Sequence, residues 1–407
     1  TVECPWKYDA ELRAKAPVFR DELNDIYVVS TYELIQHVLQ TPTLYSSRYM
    51  EKMLGKEPFP DEVMAIYMQG CHIKDALLVT DGETHDRHRH MITTAFSRKR
   101  LEVLAPLIDQ RIDELLDKAL PKGSMAFRAE VGKPLPLLVT ENQLRIPAED
   151  MERAKVWSEI LASGFGGIEK SLERLKFEAN EMIAFQKYFT AKIEVEMEKI
   201  RATGKGERED DLLAMMAAAI MDPNNPMDID EALSFLINLF PATHDTTTSS
   251  MMACVHRFVE HRDVQDKIAA NPAYISKLIE ESMRHEAPVR AFWRRALEDV
   301  TLGGVQIPKN SWILLRTSSA HRDEHAFANA DTFDIERKSS KTHFGFGTGI
   351  HICAGRFFAR HIITRVITKL SQRAQNFRFT PGANSFTHIP NMLASGYEEL
   401  RIDFDLK

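Results

Sequence analysis

The sequence predicts a mainly α-helical protein with small β-sheets. Apolar residues recur at three- to four-residue spacing through long stretches of the first two-thirds of the chain, as they do on the buried face of a helix. Alternating apolar stretches, which are typical of strands, are few and short. Proline and glycine interrupt the helical pattern, and no fixed-period repeat indicates a solenoid.

Each predicted helix is a stretch in which the apolar residues fall on one face. These stretches are residues 31–39, 84–96, 101–120, 175–200, 228–260 and 274–286. Strands are predicted at residues 26–29, 300–307, 312–317 and 399–404. Residues 201–209 are rich in glycine and charge, and we expect them to form a surface loop.

Composition and charge exclude several classes of function. The 407 residues carry a formal net charge of -7 without a sustained basic stripe, so no nucleic acid is expected as a partner. No stretch approaches the roughly 20 apolar residues that a membrane-spanning helix needs, and the first residues lack a signal-peptide pattern. We therefore expect a soluble, cytoplasmic protein. The four cysteines, Cys4, Cys71, Cys254 and Cys353, are too scattered to indicate a disulfide framework.

The most specific motif is HFGFGTGIHICAGRFFAR, residues 343–360. Five of its residues stand at nearly alternating positions before a predicted helix: Phe346, Gly349, His351, Cys353 and Gly355. Such spacing should arise by chance in roughly one chain per ten thousand. The segment resembles the haem-binding loop of the cytochrome P-450 family, in which the cysteine, here Cys353, is the thiolate ligand of the haem iron. A buried structural cysteine is the alternative.

The chemistry of an iron–sulfur bond explains why these residue types occur together. A sulfur bound to iron is a thiolate, and its electron donation favours cleavage of the O–O bond. Gly349 and Gly355 let backbone N–H groups approach that sulfur, and Phe346 can shield it from water.

A second and a third stretch resemble the same family. In ESMR and FDIER, the residues Glu281, Arg284 and Arg337 match a buried ionic triad, although a Glu–Arg pair at this spacing is usually a solvated helix pair. In THDRHRHMITTAFS, His85 and Arg89 project from one helix face and match haem propionate ligands, together with Arg294 and His351. A zinc site of His85, His88 and His90, or a solvated basic helix face, are the alternatives.

A fourth stretch, LFPATHDTTTSS, resembles the oxygen-binding segment of the family's long I helix. Ala242, His244, Asp245, Thr246 and Thr247 match it. The acid beside the alcohol is suited to delivering protons to dioxygen in a dry pocket. Hydrogen bonds from the threonines to the preceding turn are the alternative. The family usually has glycine where this chain has Thr243, and Pro241 is a candidate for the kink that the glycine would allow.

The resemblance implies a single cytochrome P-450 domain over residues 1–407, with haem b between the long I helix and the cysteine loop with its following L helix. It implies a monooxygenase that inserts one atom of dioxygen into an organic substrate, with electrons from a ferredoxin and a ferredoxin reductase. A peroxide-driven peroxygenase and a non-catalytic haem carrier or sensor are the alternatives. In the family register, an apolar pocket for a medium-sized hydrophobic molecule draws on Ile73, Leu77, Leu78, Asn238, Ala242, Val289, Leu393 and Ala394.

Two groups of basic residues lead to further hypotheses. Arg290 shares strand parity with Arg294, so a guanidinium there could hold a substrate carboxylate, or pair with a neighbouring carboxylate of the protein. A basic patch for an acidic ferredoxin is predicted from Arg98, Lys99, Arg100, Arg356 and Arg360.

Overall fold

Most of the described chain is helical. The computed structural model describes residues 6–50, 59–163, 170–206, 211–224, 227–338, 342–388 and 396–407. In chain order the helices are α1 Trp6–Lys15, α2 Tyr32–Gln40, α3 Asp61–Tyr67, α4 Gly82–Ala95, α5 Arg98–Ala119, α6 Pro134–Leu144, α7 Met151–Ser163, α8 Leu172–Thr203, α9 Leu212–Met221, α10 Ile229–Glu260, α11 Arg262–Ala270, α12 Tyr274–His285, α13 Thr317–Ala320 and α14 Arg356–Arg373.

The strands are short. They are β1 Val18–Asp21, β2 Ile26–Val29, β3 Tyr45–Ser46, β4 Ser124–Ala126, β5 Phe292–Ala296, β6 Val300–Leu302, β7 Val305–Ile307, β8 Trp312–Leu315, β9 Ala374–Phe379 and β10 Arg401–Leu406. They form a five-stranded sheet in the order β1-β2-β8-β5-β3, a three-stranded sheet in the order β4-β10-β9, and the hairpin β6-β7.

The chain forms two compact units. Unit 1 comprises Thr1–Ser47, Leu101–Pro136 and Asp245–Lys407, and unit 2 comprises Arg48–Arg100 and Leu137–His244. All three sheets lie in unit 1, whereas the described residues of unit 2 form helices and short helical turns. The expectation of one domain over the whole chain stays a prediction.

The five-stranded sheet is held by a continuous apolar core. Every side chain of β2 is buried, and β2 pairs with β8 in parallel and with β1 in antiparallel register. The side chains of Val29, Ile313 and Leu315 pack with Ile35 of α2 and Phe344 of the cysteine loop in one cluster. Burial of this apolar surface anchors the cysteine loop to the sheet.

The helical pattern predicted the long elements well. Each predicted helix is present, with its ends within three residues of the prediction, and β2 has the predicted bounds. The helices α1, α3, α6, α7, α9, α11 and α13 are not among the predicted ones. The sequence of α9, LLAMMAAAIM, is apolar on all sides and so lacks the periodicity that marks a half-buried helix.

The predicted strand at residues 300–307 was wrong in topology. The chain forms the two antiparallel strands β6 and β7 instead, because Gly303 and Gly304 have φ values of 55° and 80° and make the tight turn between them. The strand predicted at 312–317 ends earlier, at Leu315, and the one predicted at 399–404 is Arg401–Leu406. The loop predicted at 201–209 begins only at Gly204, the left-handed end of α8, and residues 207–210 lie outside the described residues.

No helix in the described part of the chain combines the length and the apolar character that crossing a membrane requires.

The ionic triad lies fully inside unit 1. Arg284 is 0% exposed and donates to both carboxylate oxygens of Glu281, at 2.9 and 2.8 Å. Its remaining N–H groups donate to the carbonyls of His321, Ala330 and Thr332, while Arg337 Nε donates to Glu281 at 3.1 Å. The prediction that every charge of the triad is paired is therefore confirmed, and the solvated-pair alternative is wrong.

We expect Glu281→Gln to lower the free energy of unfolding by about 3–5 kcal/mol, because Arg284 would keep a buried charge without its counter-ion. Urea unfolding followed by circular dichroism measures the change. Glu336→Gln is the matched control, since it neutralises the exposed Lys277–Glu336 pair of the same region and should leave the midpoint where it is. Equal midpoints for the two variants would contradict the structural role of the triad.

Candidate active site

The cysteine loop is closed by its own backbone. The N–H of Cys353 donates to the carbonyl of Phe346 at 2.8 Å, and the N–H of Gly347 donates to that of Phe344 at 2.8 Å. Gly349 has a φ of 69°, and a Cβ on it would lie 2.4 Å from the carbonyl oxygen of Leu39. The loop can take this path only with glycine at 349.

The Cys353 side chain is half-buried at the start of a helix. Gly355 is the N-terminal cap of α14, and Arg356 Nη1 donates to the carbonyl of Cys353 at 2.8 Å. The N-terminus of a helix favours negative charge, which suits a thiolate. A Cβ on Gly355 would stand 3.9 Å from Cys353 Sγ, in van der Waals contact, so the glycine leaves that side of the sulfur open.

Glu280 holds both ends of the cysteine loop, which the sequence did not indicate. The carboxylate accepts two hydrogen bonds from Arg360, at 2.6 and 2.9 Å, and lies 3.2 Å from His343 Nε2. Burial alone would raise the pKa of Glu280, but the bonds from Arg360 and His343 outweigh it and lower that pKa to about 2. Arg360 also lies 4.1 Å from the ring centroid of Phe346, over the loop itself.

His321 connects the ionic triad to the same loop. Its Nε2 accepts a hydrogen bond from the N–H of Phe344 at 2.8 Å, and its carbonyl accepts from Arg284. Burial, with the nearby cations, lowers the pKa of His321 well below its ordinary value. The ring is therefore neutral and can act as an acceptor.

The oxygen-binding motif lies in the continuous helix α10, which includes Pro241. Asp245 and Thr246 are half-buried and belong to unit 1, as Cys353 does, whereas Ala242 is a half-buried residue of unit 2. The hydroxyl of Thr243 lies 3.1 Å from the carbonyls of Leu239 and Phe240 and thus bonds to the preceding turn. Thr243 precedes the threonine run at residues 246–248, so these bonds do not test the alternative for Thr246.

Thr243 and His244 are tied to other helices of unit 2. The hydroxyls of Thr140 and Thr243 are 2.8 Å apart, and Ser158 Oγ lies 2.8 Å from Nδ1 of the buried His244. Because Thr243 donates to a carbonyl, the Thr140 hydroxyl is the donor of the first bond. Thr243, which stands where the family usually has glycine, and the neighbouring His244 are thus both hydrogen-bonded.

The predicted propionate ligands lie on different elements. Arg294 is a buried residue of β5 in unit 1, and its Nη1 donates to the carbonyl of Trp293 at 2.7 Å. His351 is half-buried in the turn Gly349–His351 of the same unit. His85, which is 4% exposed, and Arg89 project from α4 in unit 2, one turn apart.

The zinc alternative is contradicted by the hydrogen bonds of His88. Nδ1 of His88 accepts from the N–H of Leu77 at 3.0 Å, and Nε2 lies 2.8 Å from Glu231 Oε1. Both ring nitrogens are thus engaged. His90 is exposed whereas His85 is buried, and no cluster of three metal-ligating side chains occurs among the residues that the structure describes.

The other cysteines that the structure describes, Cys71 and Cys254, are protonated and have the character of structural residues rather than metal ligands or nucleophiles. Burial, with the charge of Asp230, raises the pKa of Cys71 to about 11, and complete burial raises that of Cys254 to about 12. Neither is a thiolate at neutral pH, and neither is in a disulfide. Cys4 lies outside the described residues.

The structure bears differently on the two hypotheses about basic residues, a substrate carboxylate at Arg290 and a docking patch for a ferredoxin. Arg290 is buried, and burial lowers its pKa while the carboxylate of Glu286 opposes that shift. A substrate carboxylate at Arg290 stays a prediction. Arg98 and Lys99 are exposed, but Arg100 is buried and donates to Asn142 at 2.7 Å, so its inclusion in a docking patch was wrong.

The predicted pocket residues have varied exposure. Ile73 is exposed, Leu77, Leu78 and Val289 are half-buried, and Asn238 is buried with its amide donating to the carbonyl of Ser234. Leu393 and Ala394 lie outside the described residues.

The family model described as Cytochrome P450 matches residues 169–395, more than half of the chain. The chain belongs to the cytochrome P450 family. Cytochrome P450 109 of Bacillus spizizenii is 28% identical over 402 residues, which are 98% of this chain and 91% of that protein.

Solved P450 structures share the fold. CYP109E1 from Bacillus megaterium aligns with a TM-score of 0.81 and 25% identity, over 99% of this chain and 98% of its own. An intact type IV self-sufficient P450 monooxygenase aligns with a TM-score of 0.87 and 26% identity, over 98% of this chain. The chain spans 51% of that protein, about half of its length.

Family membership makes this P450 a haem b protein and an oxidoreductase of the monooxygenase class. The residues of unit 1 fit such a cofactor. Cys353 offers a soft sulfur donor with one side kept open by Gly355, and Arg294 offers a buried cation for a carboxylate. Members of the family also require a redox partner, a substrate and dioxygen.

We expect Gly349→Ala to destabilise this P450 more than Gly382→Ala does. Both glycines have a φ of 69°, but the added Cβ meets the Leu39 carbonyl at residue 349 and nothing within 4 Å at residue 382. The stability of the control variant should therefore fall only by the cost of placing alanine in the left-handed conformation, about 1–2 kcal/mol. Thermal unfolding of both variants measures the difference, and equal losses would mean that the loop does not need the close approach.

Proposed function

We propose that this P450 is a haem-thiolate monooxygenase whose axial ligand is Cys353 and whose substrate is a medium-sized hydrophobic molecule. The observation that carries the proposal is the geometry of the Cys353 loop. A half-buried thiol lies two residues before the N-terminal cap of α14, with a glycine at 349, where a side chain would block the path of the loop, and a second glycine at 355, where an added Cβ would contact the sulfur. Bound haem supplies the redox chemistry that activates dioxygen.

The other site residues hold and shape the cofactor site in this proposal. Arg294, His351, His85 and Arg89 bind the two propionates, since charged and imidazole donors give short, strong bonds to carboxylates. Phe346 shields the sulfur from water, Gly349 and Gly355 shape the loop around it, and Ala242 leaves room beside dioxygen on the long helix.

Asp245 and Thr246 move protons. The carboxylate of Asp245 takes a proton from solvent, and the hydroxyl of Thr246 donates one at Oγ1 to dioxygen bound in the pocket. This acid–alcohol pair favours the dioxygen-dependent monooxygenase over the peroxide-driven alternative. A further consequence is that the loss of the two side chains should have different effects.

A hydrophobic substrate is supported by the apolar character of Leu77, Leu78 and Val289 and by structural relatives. The CYP109E1 structures contain testosterone and corticosterone, and another relative, P450BioI, is in complex with an acyl carrier protein that carries hexadec-9Z-enoic acid. We further propose a cytoplasmic protein that receives electrons from a ferredoxin and its reductase. The exposed Arg98 and Lys99 in unit 2 are candidate contacts for an acidic donor. So are Arg356, which donates to the carbonyl of Cys353, and Arg360 in unit 1.

Cys353→Ser should abolish the thiolate signature in the spectrum of the reduced carbon monoxide complex, because a neutral hydroxyl donates far less charge to iron. Cys71→Ser is the control, since that thiol is protonated at neutral pH and should leave the spectrum unchanged. A thiolate signature that survives in the Cys353 variant would show that the ligand lies elsewhere.

Thr246→Ala should retain haem but release hydrogen peroxide in place of product, whereas Asp245→Asn should mainly slow turnover, because the proton supply becomes the slow step. We expect changes of about 10²-fold or more in the affected rates. Peroxide formed per NADH consumed, with a surrogate ferredoxin chain, measures the first effect. Thr248→Ala is the control, since that hydroxyl donates to the carbonyl of Gly132. Peroxide release no higher in Thr246→Ala than in this control would argue against the relay.

A further inference from the structure

Leu77 has an unusual backbone conformation. Its φ is 48°, in the left-handed region that bulky side chains rarely occupy, and it begins the short turn Leu77–Val79. Such a conformation costs free energy and persists only where the surroundings hold it. Two side chains do so: His88 Nδ1 accepts from the N–H of Leu77 at 3.0 Å, and the hydroxyl of Thr80 donates to its carbonyl at 3.0 Å.

The hydrogen bonds of His88 fix its tautomer. A backbone N–H can only donate, so Nδ1 is the acceptor and the proton of the neutral ring is on Nε2. Nε2 then donates to Glu231 of α10 over 2.8 Å, and Arg87 donates to the same carboxylate oxygen at 2.7 Å. His88 is 0% exposed and thus bridges Leu77 and the long helix without contact with water.

The segment before Leu77 is anchored to α10 as well. The N–H of Lys74 donates to Ser234 Oγ at 2.9 Å, and that of His72 donates to Asp230 Oδ2 at 3.4 Å. These bonds replace the backbone partners that a strand or helix would supply. The shape of residues 72–79 therefore depends on side chains of α10 and, at its strained residue, on His88.

We propose that His88 is a positioning residue, which holds Leu77 in its left-handed conformation and so sets the ligand selectivity of the pocket. The inference rests on the proposed function, in which Leu77 and Leu78 line that pocket. When the hydrogen bond from Leu77 is lost, residues 72–79 relax. Ligands large enough to contact these residues then lose a preformed binding surface, whereas small ligands that bind only at the iron do not.

The charges around His88 favour its neutral form. Burial is the largest effect and lowers the pKa of His88, and Arg87 and His85 of the same helix act in the same direction, while Glu231 opposes them. The helix α9, which also contacts α4, has no ionisable side chain. Protonation would place a second donor against the N–H of Leu77. As the folded-state pKa lies below the ordinary value of about 6.5, the stability that His88 contributes is present above that pH and is lost as the pH falls below it.

The test compares His88→Phe with His90→Phe, the same substitution at an exposed position of α4. Imidazole and 4-phenylimidazole are titrated into each haem-loaded variant and followed by the haem spectrum. We expect His88→Phe to weaken the binding of 4-phenylimidazole on the order of tenfold and to leave the binding of imidazole unchanged. His90→Phe should bind both ligands as the wild type does. Hydrogen exchange should show a comparable loss of protection at residues 72–79 in His88→Phe alone.

Three further measurements keep the proposal testable if His88→Phe folds poorly. His88→Asn keeps an acceptor for Leu77 and should retain most of the selectivity. Leu77→Asn, whose side chain tolerates the left-handed region, should restore protection to the His88→Phe variant. The stability advantage of wild type over His88→Asn should shrink as the pH falls below about 6.5.

Equal 4-phenylimidazole affinities and equal protection in the two Phe variants would overturn the role of His88. Failure of the proposed function is a separate outcome, because a wild-type protein without a thiolate haem spectrum or imidazole binding would show it before any variant is compared.

Discussion

Burial of the Arg284 guanidinium is the constraint on which the cysteine loop depends. A charge with no exposure to water requires a partner for each of its donors, and Glu281 and three carbonyls provide them. One of these carbonyls belongs to His321, whose ring accepts the N–H of Phe344 at the start of the loop. The hydrogen bonds that satisfy this buried cation therefore also position His321, which binds the start of the loop that contains Cys353.

The neighbouring carboxylate acts on the same loop from the other side. Glu280 binds His343 before the loop and Arg360 after it, so that α12 holds both ends. Consecutive residues of one helix point in different directions, and here each side chain has a separate function: Glu281 neutralises the triad and Glu280 binds both ends of the loop.

The helix α14, which follows the loop, is itself held to α5 by ion pairs. Three basic side chains at four-residue spacing pair with acidic ones on α5: Arg365 with Asp109, Lys369 with Asp113, and Arg373 with Asp117.

Hydrogen bonds from polar side chains also fix elements of unit 2, including the segment before α4. His88 links a strained leucine to Glu231, and Thr140 links α6 to Thr243 of the long helix. Because each hydroxyl or imidazole has defined donors and acceptors, these contacts specify one arrangement more strongly than apolar packing would. The long helix is thus a source of hydrogen bonds for the elements around it as well as the carrier of Asp245 and Thr246.

The sequence by itself determined the fold class and the long helices through helical periodicity, and the reaction class through the resemblance of the segment around Cys353 to a known family. It also determined which residues could form the ionic triad. Only the tertiary structure decided that Glu280 and His321 support the loop, that Arg100 is buried and that His88 bonds to Leu77 instead of a metal. The reason is physical: these contacts join residues far apart in the chain or depend on a backbone angle, and neither is encoded in the spacing of a motif.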